Sequence, residues 1–138
     1  KRLEYEIKKR AVENVKILDP VPRSVLLEHY RKADILFLHL NNFKAFEKVL
    51  PSKIFEYAAT GKPILAGVRG YSEKFINEKI AGAQTFDPFD QKGFDYAISQ
   101  LKKGSIVYDR ADFCKKYERK TIMNEMASSI IGLNQKRP

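Results

Sequence analysis

Cysteine occurs once, tryptophan not at all and methionine only twice in this chain of 138 residues. The single thiol, Cys114, excludes an internal disulfide framework and suits a reducing compartment. No apolar run approaches the roughly twenty residues a membrane span needs. No secretory leader is legible either, and the start Lys1-Arg2-Leu3, without methionine, reads as a piece of something longer. Two histidines, His29 and His39, without neighbouring cysteines do not make a zinc site, and no metal is implied. A P-loop, a complete Gly-x-Gly-x-x-Gly and a Ser-His-Asp arrangement are all missing, as are internal repeats and low-complexity segments.

What remains is a globular composition. Hydrophobic residues make up 43% and charged residues 31%, enough for one domain with its own core. Lys and Arg number 26 against 17 Asp and Glu, a net charge of +9. That balance suits nucleic acid, anionic headgroups or a diphosphate. The lysines are scattered through helical segments, as in Lys8-Lys9-Arg10, Lys102-Lys103 and Lys115-Lys116. No aromatic-interleaved ribonucleoprotein motif or zinc-finger spacing accompanies them, which disfavours nucleic acid. Solvated helix faces and a membrane-facing patch stay open as readings.

One stretch organises the rest: Leu50-Pro51-Ser52-Lys53-Ile54-Phe55-Glu56-Tyr57-Ala58-Ala59-Thr60-Gly61-Lys62-Pro63-Ile64-Leu65-Ala66-Gly67. Pro51 suits the first turn of a helix and Ser52 is a natural N-cap. Ile54, Phe55, Ala58 and Ala59 form an apolar stripe at helical spacing. Gly61 ends the helix, Pro63 prevents its restart, and Ile64-Leu65-Ala66 reads as a buried parallel strand. A helix start with free N–H groups is a seat for phosphate, and Lys53 adds a full charge. Glu56, one turn on, could accept hydrogen bonds from a ribose diol. A capped core helix with an exposed Lys53–Glu56 pair explains the same residues, and both readings stand at this point.

Around that stretch, residues 2–13 read as a helix and Val15-Lys16-Ile17-Leu18 as a short strand. Asp19-Pro20-Val21-Pro22-Arg23 is a loop, and Ser24 caps a helix with Leu26, Leu27 and Tyr30 inward. Asp34-Ile35-Leu36-Phe37-Leu38-His39-Leu40 is the strongest strand and, being nearly all apolar, is expected at the sheet centre. Ser72 caps a helix to about Lys79, and residues 82–86 form a weak last strand. Helices then follow from Asp90 to about Lys103, from Asp109 to about Tyr117, and from Glu118 to Leu133. The alternation predicts a doubly wound parallel sheet, with ligands beyond the carboxyl ends of its strands. The loops at 19–24, 41–51 and 67–72 would converge there. His39, at the mouth of that crevice, is either a core histidine or a phosphate contact; Arg69 is either a surface arginine or a sugar or phosphate contact.

Pro51-Ser52-Lys53-Ile54-Phe55-Glu56-Tyr57-Ala58-Ala59-Thr60-Gly61-Lys62-Pro63-Ile64 resembles the signature of retaining glycosyltransferases with the GT-B fold, family four, in their bacterial surface-polysaccharide branch. Asp19-Pro20-Val21-Pro22, Ala33-Asp34, Gly70-Tyr71-Ser72-Glu73, Asp87-Pro88-Phe89-Asp90 and Phe113, Tyr117, Glu118-Arg119 are similar to further elements of that family. The resemblance implies that residues 1–138 are part of the C-terminal donor-binding domain, Rossmann-like but lacking its first two strands. Residues 118–138 would be the closing helix and tail that return to the N-terminal acceptor-binding domain.

By the same resemblance, Ser52 and Lys53 meet the diphosphate of a nucleotide sugar, most commonly a uridine one, Glu56 holds its ribose, and Lys48, Leu50, Pro51 and Ile54 are further donor-binding positions. Val21 and Pro22 lie at the nucleotide base, and Arg69 is a further donor contact. The family carries two glutamates separated by seven residues; here Lys48 stands at the first, with Glu47 one residue out of register. No catalytic residue is assigned. The donor is a substrate, and no cofactor or metal is implied. The expected partners are the nucleotide sugar, the missing N-terminal domain and an anionic membrane surface, at the cytoplasmic face of the membrane, in polysaccharide or lipopolysaccharide synthesis. A non-hydrolysing nucleotide-sugar epimerase and a basic, non-catalytic lipid- or nucleic-acid-binding domain are the alternatives. Without two strands, the sheet would expose an apolar edge, an invitation to re-pairing, dimerisation or domain swapping.

Overall fold

The computed structural model describes residues 2–101 and 106–134, and shows an α/β chain built on a small open sheet. Three parallel strands, β1 (Leu36–His39), β2 (Ile64–Gly67) and β3 (Ala83–Phe86), lie in the order β1-β2-β3. Leu36 pairs with Ile64 and Ile64 with Ala83, so the strands start level. Between them run α3 (Lys53–Ala58) and α4 (Tyr71–Lys79); α5 (Gln91–Gln100), α6 (Ala111–Tyr117) and α7 (Arg119–Asn134) follow. Before the sheet come α1 (Arg2–Lys9) and α2 (Arg23–Lys32).

Period-two alternation on the strands divides the core in two. Ile64, Ala66 and the following Val68 pack with Ile54 and Ala58 of α3, Phe75 and Ile76 of α4, and Phe113 of α6. Leu65 and Phe86 point the other way, against Ala97 of α5 and Leu101. Every residue of β2 is buried, as its unbroken apolar run requires. Helices therefore cover both faces, and the architecture is compatible with a Rossmann-like fold. The strand order advances in one direction only. The reversal that defines a doubly wound sheet is not found among the described strands.

Four expectations need correction. Val15–Leu18 is no strand: it has no regular structure, and Val15, Ile17 and Leu18 are exposed. A four-residue strand has too few ladder bonds to persist without a neighbour. The predicted central strand instead forms the edge, and β2 takes the centre. Residues 2–13 are helical only to Lys9, and α1 buries nothing. The serines foreseen as caps do not cap: Pro22, Ser52 and Gly70 stand at the N-cap positions without a side-chain capping bond. The reason at Ser72 is visible. Its hydroxyl is buried and donates instead to the Val49 carbonyl, tying α4 to the loop before α3. Asp90 caps α5, accepting from the Lys92 N–H, whereas the N-cap position of α6 is Arg110 without a side-chain bond, and Asp109, one residue earlier, accepts from the Ala111 N–H.

Ala59 is the C-cap of α3, and Gly61, expected at C′, lies two residues beyond that cap at φ +72°, where the chain turns towards β2. The Gly61 carbonyl accepts from Tyr108 N–H at 2.8 Å, drawing the segment before α6 under the sheet. The expected end of the α5 helix at Lys103 and the tail after Asn134 fall outside the described residues. Among the described residues, no helix is long and apolar enough to cross a membrane.

Candidate functional site

Parallel strands direct the loops after β1, β2 and β3 to one end of the sheet. Arg69 lies at that end and joins all three. Its Nη1 donates to Asn42 Oδ1 at 2.6 Å, and its Nη2 pairs with Asp87 Oδ2 at 2.6 Å. Asn42 follows β1, Arg69 follows β2 and Asp87 follows β3. The Asp87 bond is the chief cause that raises the Arg69 pKa. The other oxygen of Asp87, Oδ1, is buried and has no hydrogen-bond partner among the described residues. Arg69 thus acts on this geometry as a staple of the three loops, with its guanidinium already engaged.

At the front of α3 the predicted donor residues are brought together, with a different distribution of roles. Lys53 Nζ donates to Glu56 Oε2 and to the Tyr30 hydroxyl of α2, both at 3.1 Å. Those bonds, Tyr30 first and Glu56 second, raise the Lys53 pKa. Tyr57 packs edge-on against Tyr30, and burial raises its own pKa. The Ile54 N–H is taken by Pro51 O at 3.0 Å and the Phe55 N–H by Ser52 O at 3.1 Å. The tight turn that starts α3 has therefore engaged two of the N–H groups expected to be free. Ile54 has no exposed surface at all, and its side chain belongs to the core. Ser52 is exposed; Leu50 and Pro51 are half-buried.

Beside these residues is a cleft of ≈ 270 Å³, lined by Arg23, Leu27 and Arg31 of α2 with Glu56, Ala59 and Thr60. The α2 residues recur every four positions, so one helix face supplies that wall. Two guanidinium groups and one carboxylate line this cleft together with Leu27 and Ala59. Reading the sequence missed Arg23 and Arg31 as site residues; their spacing of eight was the signal available. Val21 and Pro22 immediately precede this wall, and both are exposed. Pro22 O accepts the first helical bond of α2, from Leu26 N–H at 3.0 Å. Lys48 ends a short 3-10 helix, Lys44–Lys48, and is exposed, as is Glu47.

His39 ends β1 and is half-buried. Its ring lies against Phe37, Phe86 and Phe89, on the sheet face that α5 covers only in part. Among the described residues no group of three or more His, Cys, Asp or Glu side chains is placed to hold a metal ion. Compared with family models, curated proteins and solved structures, the chain finds no match.

Proposed function

We propose that this chain is the donor-binding part of a glycosyltransferase. Its substrate would be a nucleotide-diphospho-sugar, with uridine diphosphate as the carrier, and its acceptor a polysaccharide or a lipid-linked saccharide. The observation that supports the reading is the α2–α3 cleft. Glu56, the ribose-binding position by resemblance, shares it with Arg23, which directly follows the Val21-Pro22 loop expected at the base. In that arrangement Glu56 accepts the ribose hydroxyls, and Lys53, Arg23 and Arg31 supply positive charge for the diphosphate. Donor positioning and stabilisation of the departing diphosphate are the contributions such a domain makes to catalysis. A net charge of +9 suits both the donor and an anionic membrane carrying a lipid-linked acceptor.

Calorimetric titration with uridine diphosphate tests this reading. Weak saturable binding is expected, lost in Glu56→Ala and in Lys53→Ala and weakened at least fivefold in Arg23→Ala. Binding that survives the first two substitutions removes the site from α3. Salt-sensitive adsorption to anionic vesicles that Glu56→Ala leaves unchanged, with no nucleotide binding, would mark the basic surface as the working part.

A further inference from the structure

Of the ten residues of α2, Tyr30 alone is buried, at 8% exposed. Its ring meets Tyr57 of α3 edge-on, with centroids 5.2 Å apart and planes at 80°. A phenol carried on a ring packed in this way is a fixed acceptor. The other partner of Lys53 offers no such anchor. Lys53 and Glu56 are an i,i+3 pair on α3, with side chains 39% and 32% exposed. A pair of that kind is screened by salt and gives up side-chain freedom to form, so it holds a lysine weakly. Lysine itself is a point charge on a long flexible stem. Left to Glu56 alone, the ammonium would be spread over many rotamers.

We propose that Tyr30 is a positioning residue: its hydroxyl, 3.1 Å from Lys53 Nζ, fixes the ammonium beside the α2–α3 cleft for an anionic ligand. The ring adds to the hold, with Nζ 5.7 Å from its centroid. An ammonium has three N–H donors and no acceptor. Tyr30 takes one and Glu56 Oε2 another, which leaves one for the ligand among the described residues.

The same side chain seats the wall of the cleft. Arg23 and Arg31 stand on the helix that Tyr30 pins to α3, and Arg31 is its neighbour in sequence. One buried ring therefore sets both the place of the α2 guanidinium groups and the direction of the α3 ammonium. Charges fixed in advance bind an anion better than mobile ones, because their ordering is complete before the ligand arrives. That the anion is a nucleoside diphosphate rests on the function proposed above; the hold of Tyr30 on Lys53 does not.

Nitrogen-15 NMR of the Lys53 ammonium in the chain without ligand tests the hold directly. Tyr30→Phe keeps the ring and deletes the acceptor, and a thermal melt checks that it folds. Its Lys53 signal should broaden through faster exchange with water and titrate at lower pH than in the parent. Tyr57→Phe, which leaves both Lys53 bonds in place, should retain the signal. Calorimetric titration with uridine diphosphate reads the consequence. Affinity should fall by about three- to tenfold in Tyr30→Phe, the worth of one hydrogen bond. A Lys53 signal indifferent to Tyr30→Phe overturns the proposal, as does a lost signal with unchanged affinity. If the parent binds no uridine diphosphate, the donor reading falls and inorganic pyrophosphate becomes the probe. Pyrophosphate binding weakened by Tyr30→Phe then keeps the positioning role, and no binding of either anion overturns it.

Discussion

Arg110 donates to the carbonyl oxygen of Ala81 through both Nε and Nη2, at 2.9 and 2.6 Å. The same guanidinium reaches Ala58 O at 3.2 Å and Lys62 O at 3.0 Å. It is 6% exposed, and among the described residues its hydrogen-bond partners are main-chain carbonyls. Burial lowers its pKa. The carbonyls at the ends of α3 and after α4 supply the negative potential that holds the charge inside. Replacement by Met would leave those acceptors without donors. Arg110→Met should lose about 3 kcal/mol of stability, read as a lower urea midpoint, and Arg110→Lys should recover only part of it because an ammonium lacks the planar fork.

Stability should fall at high pH, through two groups. The Lys53 pKa is raised in the folded chain by Tyr30 and Glu56. Its stabilisation is complete below the unfolded value, about 10.4, and disappears as pH rises through the folded value. Tyr57 is raised by burial, which favours its neutral form, so its contribution has the same sign. Denaturant midpoints followed above about pH 10 should therefore drop, with a shallower fall in Lys53→Met and in Tyr57→Phe than in the parent.

Arg69 and Asp87 are 40% and 42% exposed, so their pair should matter more to order than to stability. Asp87→Asn is expected to cost about 1 kcal/mol or less. The measurable effect should be faster amide exchange in the loops after β1 and β2, with β2 itself unchanged.

Two glycines should respond in opposite directions. Gly70 has φ +65° and ψ −125°, and a Cβ there would lie 2.5 Å from Glu47 O. Gly70→Ala should destabilise by about 2 kcal/mol or more, seen in thermal melts. Gly132 lies within α7 with open space around it. Gly132→Ala should raise stability, by up to about 1 kcal/mol.

The amino-acid sequence by itself determined the alternation of elements from residue 34 to 117, because apolar period, glycine and proline act locally. Gly61 and Pro63 set the end of α3 and the start of β2 without help from the rest of the chain. Lys53 and Glu56, one turn apart on α3, were bound to be neighbours for the same reason. What tertiary structure alone decided was where each element lies and what each polar group meets. Val15–Leu18 has the composition of a strand but no partner, and a strand is defined by its partner. Ser72 has the composition of a cap but meets Val49 O first. Tyr30 reaches Lys53 across 23 residues, and Arg110 reaches Ala58 across 52. No periodicity encodes such distances, since they depend on how helices pack on the sheet and which buried carbonyls that packing leaves in need of a donor.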